Sequence, residues 1–522
     1  MKKFRLTIVF LILLSYLLII GREVRAAPIT YYRYVVPGGS QTSEYCTRYE
    51  PCDLRHAIDN VAQSGDIIVV HSGTYNSILP STDLITITKN LTLWGSCEFD
   101  ASTPFICYPD EQNSNLDAEL TKRVVGIYGI GVEEVHIEGF TIMRGIGTLM
   151  SPTCYGFDGC GAGIYASSLE RLTLKNNTLW ANEAVRIGGS GGIGGGLFVD
   201  NVNYVQAKNN TFIFNQATDT GVGGGGGAFV INSGGPHAVE FDKNFFYNNE
   251  ISTENSSGNA GAGLLVTASN NVQITDNTFE YQNTLNKSID IRGSSIYLSS
   301  ITGYSIEKNT FTNDYGRAVV YIGYETDGRI SKNRWWNNTI VYNLELVGDV
   351  QADIFNNFLG RQPIAPTSRG GGSSDIFIHS DQISGSNEVD IYFNTFSAAN
   401  LGVEVGQYSS VGIFNNIFTG LTDAIYLSTT FVTATIDNNL YYSNSNYTNP
   451  GSNPIYADPK LVDVANGDFH LLPGSGAIDT AIACDFDEDI DGDIRPIGLG
   501  PTPYDVGADE YQVINYLPLI LQ

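Results

Sequence analysis

The chain has 522 residues, 55 of them acidic against 28 basic, and a net charge of −27 at pH 7. That length is too great for one conventional core but suits an architecture that grows one coil at a time. The acidic balance argues against nucleic acid as a partner, since holding phosphates needs Lys and Arg, and it fits a soluble exported protein with some capacity for cations.

Residues 1–26 read as a secretory signal peptide. Lys2, Lys3 and Arg5 precede an apolar run from Leu6 to Ile20, and Val24-Arg25-Ala26 supplies a small-residue cleavage site after Ala26. The run is shorter than the about 20 residues a membrane span needs, so no span is expected after processing. Removing five basic groups and one acidic group moves the net charge from −27 to −31. The seven cysteines fit export. Cys46/Cys52, Cys97/Cys107 and Cys154/Cys160 each close a short loop and are expected as disulfides, with Cys484 left over. None of these pairs has the two-residue spacing of a zinc knuckle.

Residues 27–75 predict an N-terminal cap. Tyr31 to Val36 reads as a strand. Asp53 is placed to cap a short helix over 54–61, Asp66 to Val70 reads as a second strand, and Ser72 to Tyr75 as a turn. A stack of coils leaves an open strand edge at each end, and that edge must be covered.

Residues 76–453 repeat one phrase: an apolar stretch, Asn, one residue, then an aromatic or Leu. The Asn positions are 177, 210, 244, 277, 309, 333, 357, 394, 416 and 439, spaced by 33, 34, 33, 32, 24, 24, 37, 22 and 23 residues. Alternating strands precede them, as in Val205–Asn209 and Val272–Asp276. A second phrase runs in phase, at Gly163-Ile-Tyr-Ala166, Gly196-Leu-Phe-Val199, Gly227-Ala-Phe-Val230, Gly263-Leu-Leu-Val266 and Ser295-Ile-Tyr-Leu298. At least two strands per coil in fixed phase, with no helical stretches between them, predict an all-β parallel β-helix, a single-stranded solenoid with a short N-terminal helical cap. Coils of 22–24 residues are too short for propeller blades, which need about 40–45. Stacking at about 4.8 Å sets like residues over like, so an Asn amide ladder is expected beside a buried aromatic column. Residues 454–512 are turn-rich and predict a C-terminal cap. Residues 513–522 form a short apolar tail.

Two further segments carry a resemblance. Ala477-Ile-Asp-Thr480, Asp489-Ile-Asp-Gly-Asp-Ile-Arg-Pro496 and Tyr504-Asp-Val-Gly-Ala-Asp-Glu-Tyr511 resemble the signature of the choice-of-anchor Q family of bacterial surface proteins, within the pectate-lyase-like superfamily of right-handed parallel β-helices. Cys52-Asp-Leu-Arg-His-Ala-Ile58, Gly65-Asp-Ile-Ile-Val69 and Gly73-Thr-Tyr75 resemble the usual opening of that family. The resemblance covers about 27–512 and implies secretion or cell-surface display, without implying one activity.

Several groups are candidates for a site. Asp487, Asp489, Asp491 and Asp493 around Gly492 match the start of a calcium loop; Gly498 at the twelfth position excludes an EF-hand, and the alternative is a turn whose carboxylates cap amides or pair with Arg495. Tyr165, Phe198, Phe229, Leu265 and Tyr297 occupy the middle of the second phrase, and if their neighbours point inward these rings form an outward column able to stack on sugars. The Gly-rich runs 188–196, 221–227 and 258–263 are expected as tight turns. Arg292 and Arg317 are candidate bases or clamps, while Asp314, Asp349, Asp353, Asp375, Glu388 and Glu404 look scattered, with no acidic column. The expectation is therefore a secreted or surface-displayed protein binding extracellular polysaccharide or cell-envelope glycan, with calcium as its possible cofactor. A polysaccharide lyase or glycoside hydrolase and a structural adhesin are the alternatives. Glycan contact is expected on the 32–34-residue coils between Asn177 and Asn309, which carry the extra loops.

Overall fold

The computed structural model describes residues 30–76, 81–100, 102, 104–147, 159–184, 192–219, 224–235, 238–253, 260–283, 292–324, 326–360, 373–380, 386–397, 400–482, 487–497 and 504–512. The signal-like segment, Cys154, Cys484 and the apolar tail lie outside them.

The cap forms where the sequence places it. Asp53 accepts from the amides of Arg55 (3.0 Å) and His56 (3.2 Å), starting a helical turn over Leu54–His56 that widens to a π-turn over Ala57–Val61. Strand Tyr32–Ser40 pairs in parallel with Asp66–His71. The expected turn at Tyr75 is instead a strand, Gly73–Tyr75, because it pairs with Ser114–Asp117 and opens a long sheet.

Parallel coils then follow. Among the described residues one sheet of 13 strands runs from Gly73–Tyr75 to Leu440–Tyr442, a 23-stranded sheet forms the other long faces, and a four-stranded sheet adds a further side on the early coils. The early coils use one continuous strand for two faces. Ile164–Lys175 pairs in register with Leu197–Lys208, Ile164 opposite Leu197 and Lys175 opposite Lys208. A left-handed residue, Ser168 at φ 60°, bends that strand between its two faces.

Both expected columns are present. Asn177, Asn210, Asn244, Asn277, Asn309, Asn333, Asn357, Asn394, Asn416 and Asn439 are all buried. Each side-chain amide but that of Asn439 donates to the next asparagine, for example Asn244 to Asn277 at 2.9 Å and Asn277 to Asn309 at 3.0 Å. Beside them Phe212, Phe246 and Phe279 stack with centroids 4.6 Å apart at each step. The column continues through Phe311 and Trp335.

A second ladder, unforeseen in the sequence, stands five residues on. Asn182 donates to Asn215 (3.0 Å), Asn215 to Asn249 (3.0 Å) and Asn249 to Gln282 (3.2 Å). The ladder continues through backbone amides: Gln282 N–H donates to the Asp314 carboxylate, and Asp314 N–H to the Asn338 side-chain oxygen.

The C-terminal segment is only in part an end cap. Ile455 closes the last coil through its pairing with Leu440, and Tyr447 and Tyr456 pack edge-on and tilted against Tyr441. The chain then runs back along the flank of the helix. The Gly507 amide donates to the Asn415 carbonyl, the Ala508 amide to Thr395 and Asn356 to the Glu488 carbonyl. The solenoid flank already offers a row of polar corners at Asn356, Asn415 and Asn438, and these hold the returning chain.

Candidate functional site

The aromatic column of the second phrase points away from the main core, as alternation requires, but it is covered. Tyr165, Phe198 and Phe229 are 0, 0 and 7 % exposed and form a separate small core with Cys160, Ile193, Ala260 and Leu265. The cause is the neighbouring Gly-rich turns. Gly225 has φ +64°, and a Cβ there would sit 2.7 Å from the Phe229 Cβ; Gly194 stands in the same relation to Phe198. Only glycine lets the backbone fold this closely over the rings. The expected sugar-stacking surface at Tyr165, Phe198 and Phe229 is therefore an internal seam. Tyr297, partly exposed, stacks on Tyr321 at 4.6 Å.

The candidate bases are also committed elsewhere. The Arg317 guanidinium grips the buried Glu345 carboxylate, Nε at 3.0 Å from both oxygens. His379 approaches the same carboxylate at 3.4 Å. Burial pushes Glu345 up, but the His379 and Arg317 bonds outweigh it and hold the carboxyl below its usual range. Arg292 lies over the Tyr321 ring.

Two of the three expected disulfides are formed, Cys46–Cys52 and Cys97–Cys107. Cys160 is disulfide-bonded as well, while Cys154 lies outside the described residues.

The carboxylates of Asp487, Asp489, Asp491 and Asp493 do not converge on one point. Among the described residues no three of them bring ligand atoms within 4.8 Å of one another. Asp489 is buried, and its Oδ1 accepts from the Asp491 and Asp493 amides (2.9 Å each) while Oδ2 accepts from the Glu510 amide (3.1 Å). It is a backbone clamp, and Asp505 and Glu510 act in the same way on the amides of Asp479, Tyr511 and Ile497. Asp489→Ala orphans three amides at about 1–3 kcal/mol each. Limited proteolysis should then cut the C-terminal segment at protease levels that leave the wild type intact.

An open lateral groove lies on the later coils instead, with a volume of about 510 Å³. Its floor is Tyr304, Gly328 and Ala352, and its walls are Asp327, Arg329, Gln351, Asp353, Glu388 and Asp390. Three successive strands supply the walls. Asp327 stands opposite Gln351 and Arg329 opposite Asp353; on the next coil Glu388 follows Gln351 and Asp390 follows Asp353. Partial desolvation, then the charges of Asp353 and Glu388, push the Asp390 carboxyl above its usual range. Asp327 accepts from the Gly303 amide at 3.1 Å. Among the described residues Arg329, Gln351, Asp353 and Glu388 spend no side-chain hydrogen bond on the protein.

The acidic column was hidden by an irregular coil. Asp353 and Asp390 lie 37 residues apart, the same irregular interval that separates Asn357 from Asn394. Counting back from each ladder asparagine aligns them: four residues back stand Arg329, Asp353 and Asp390, and six back stand Asp327, Gln351 and Glu388. A second, larger groove near Glu133, Glu134, Glu170 and Arg171 lies on the early coils. Three of its groups are engaged internally: Glu170 accepts from Asn203 (2.7 Å), Asn90 donates to Glu133 (3.4 Å) and Arg171 covers the Tyr204 ring.

No helix among the described residues is long and apolar enough to cross a membrane. A family model described as a right-handed β-helix region matches residues 83–279 and 195–346, overlapping stretches that together cover half of the chain. Among solved structures, a crystal structure of pectate lyase Pel9A is similar to this chain at 11 % identity and a TM-score of 0.28, covering 92 % of this chain and 96 % of that one. No curated protein matches the chain.

Proposed function

The chain belongs to the right-handed β-helix family, and on that scaffold we propose that it binds an extracellular glycan along the groove between Asp327 and Asp390. One observation carries this reading: three adjacent coils align Asp327/Arg329, Gln351/Asp353 and Glu388/Asp390, and of these Arg329, Gln351, Asp353 and Glu388 spend no side-chain hydrogen bond on the described residues. Carboxylates accept from sugar hydroxyls, Arg329 and Gln351 donate, and the coil rise of about 4.8 Å repeats this pattern along an extended chain. The excess of acid selects a neutral, hydroxyl-rich glycan over a polyanion. The formed disulfides favour an oxidising compartment, consistent with secretion. The finer kinship to choice-of-anchor Q surface proteins rests on the C-terminal motif and would account for display at the cell surface.

The test is affinity electrophoresis against a panel of neutral and acidic polysaccharides. Asp353→Ala/Glu388→Ala should cut retention on a neutral glycan at least about tenfold, the loss of roughly 1.4 kcal/mol, with the thermal midpoint unchanged. Equal retention by the double variant, or none by the wild type, would overturn the reading.

The raised Asp390 carboxyl beside Asp353 on the adjacent coil supports a second reading, glycoside hydrolysis with Asp390 as acid and Asp353 as nucleophile. Release of reducing ends by the wild type, abolished in Asp390→Asn, would establish it over binding alone.

A further inference from the structure

We propose that His470, Asp491 and Asp509 form a binding site for a divalent first-row transition metal ion, such as Zn²⁺, that staples the returning C-terminal segment to the flank of the helix. The three residues come from separate stretches of chain, and one ligand atom from each lies within 4.8 Å of the other two. That spacing suits three ligands sharing one ion at about 2.0–2.2 Å.

Each ligand is also fixed from outside. His470 turns Nε2 to Asp491 Oδ2 (2.6 Å) and Nδ1 to Asp468. A carboxylate on the distal nitrogen is the arrangement that orients a metal-ligating imidazole. Asp491 Oδ1 accepts from Arg334 at 2.7 Å, and Asp509 Oδ2 from the Leu471 amide at 2.6 Å. The Phe358 ring packs edge-on against His470 at 5.2 Å. Asp468, Asp491 and Asp509 supply three negative charges and Arg334 one positive charge, so a divalent ion on a neutral imidazole brings the local sum to zero. The nitrogen ligand separates this site from the all-oxygen calcium loop expected at 487–493, since calcium prefers oxygen donors.

The ion would join strand Asp468–Leu471, the turn at Asp491 and the segment at Asp509, while the Asp491–Arg334 pair ties all three to strand Arg334–Trp336 of the solenoid. Isothermal titration of chelator-treated full-length protein with ZnCl₂ should give one site and a raised thermal midpoint. His470→Ala and Asp491→Asn, each checked for an intact unfolding transition, should lose that site. Asp468→Asn should weaken it about 10- to 100-fold, and Asp493→Asn should keep it. No stoichiometric Zn²⁺ binding by the wild type would overturn the proposal. So would binding that survives both His470→Ala and Asp491→Asn, or a Ca²⁺ site that needs Asp491 and not His470.

Discussion

Asn277→Ala should lower the unfolding free energy of the central coils by about 3–5 kcal/mol, among the largest effects of any single side-chain truncation here. Asn277 Oδ1 accepts from the Asn244 backbone amide (2.8 Å) and from Asn244 Nδ2 (2.9 Å). Its own Nδ2 donates to the carbonyls of Phe241 (2.8 Å) and Thr275 (3.0 Å) and to Asn309 (3.0 Å). Alanine leaves the Asn244 backbone amide without its partner and Asn244 Nδ2 with only the Ala207 carbonyl, and water has no route to them in a close-packed coil. The unmade bonds cost more than the made ones contribute, because each orphan retains its full desolvation penalty. Gln273→Ala, four residues earlier on the exposed face, should change stability by no more than about 0.5 kcal/mol. Denaturant unfolding of both variants decides the matter: equal costs would mean that the ladder only decorates the coil.

Asp314→Asn should raise stability, most strongly at and above neutral pH. Asp314 occupies an asparagine position in the second ladder and is buried, with one oxygen accepting from the Gln282 amide and the other bonded to Ser295. Burial pushes its carboxyl up to about 8. The folded state therefore keeps a proton that the unfolded state releases near the model value of 3.8. The sign follows from linkage. This contribution is fully present below about pH 4 and is lost as pH rises through about 8, at up to about 1.4 kcal/mol per pH unit. Asparagine supplies the same shape with no charge to bury. The gap between variant and wild type should thus be small near pH 4 and reach up to about 4 kcal/mol at pH 7. Taking the difference cancels the other raised acids, Asp505 at about 7 and Asp509 at about 6. A pH-independent gap would show that Asp314 is not the titrating rung.

The two ladders differ in how far the sequence revealed them. The first repeats one residue type with an aromatic two positions on, so the phrase is visible to the eye. The second mixes Asn, Gln and Asp, and only its shared backbone partners identify it. Gln282 reaches the Phe246 carbonyl (2.8 Å) and Asn249 the Phe212 carbonyl (2.8 Å), with different side-chain lengths. The groove was obscured for a related reason. Arg329, Asp353 and Asp390 share one column, but the interval changes from 24 to 37 residues between coils. Fixed-period counting misses them, whereas counting from the ladder asparagine finds them. The aromatic column expected to face outward lies on the Gly-rich coils, where folded-over turns cover Tyr165, Phe198 and Phe229.

The sequence by itself determined the architecture, the inward columns and the cap. A coil buries the same positions at every turn, so its periodicity is a direct image of its core. Only the tertiary structure decided what lies above that core. Whether an outward ring meets solvent or a glycine turn, and whether Asp489 clamps amides or binds an ion, depends on chain segments from other coils. His470, Asp491 and Asp509 likewise meet only because the C-terminal segment folds back along the flank. No local pattern records these encounters, because each joins residues whose separation in sequence has no fixed period.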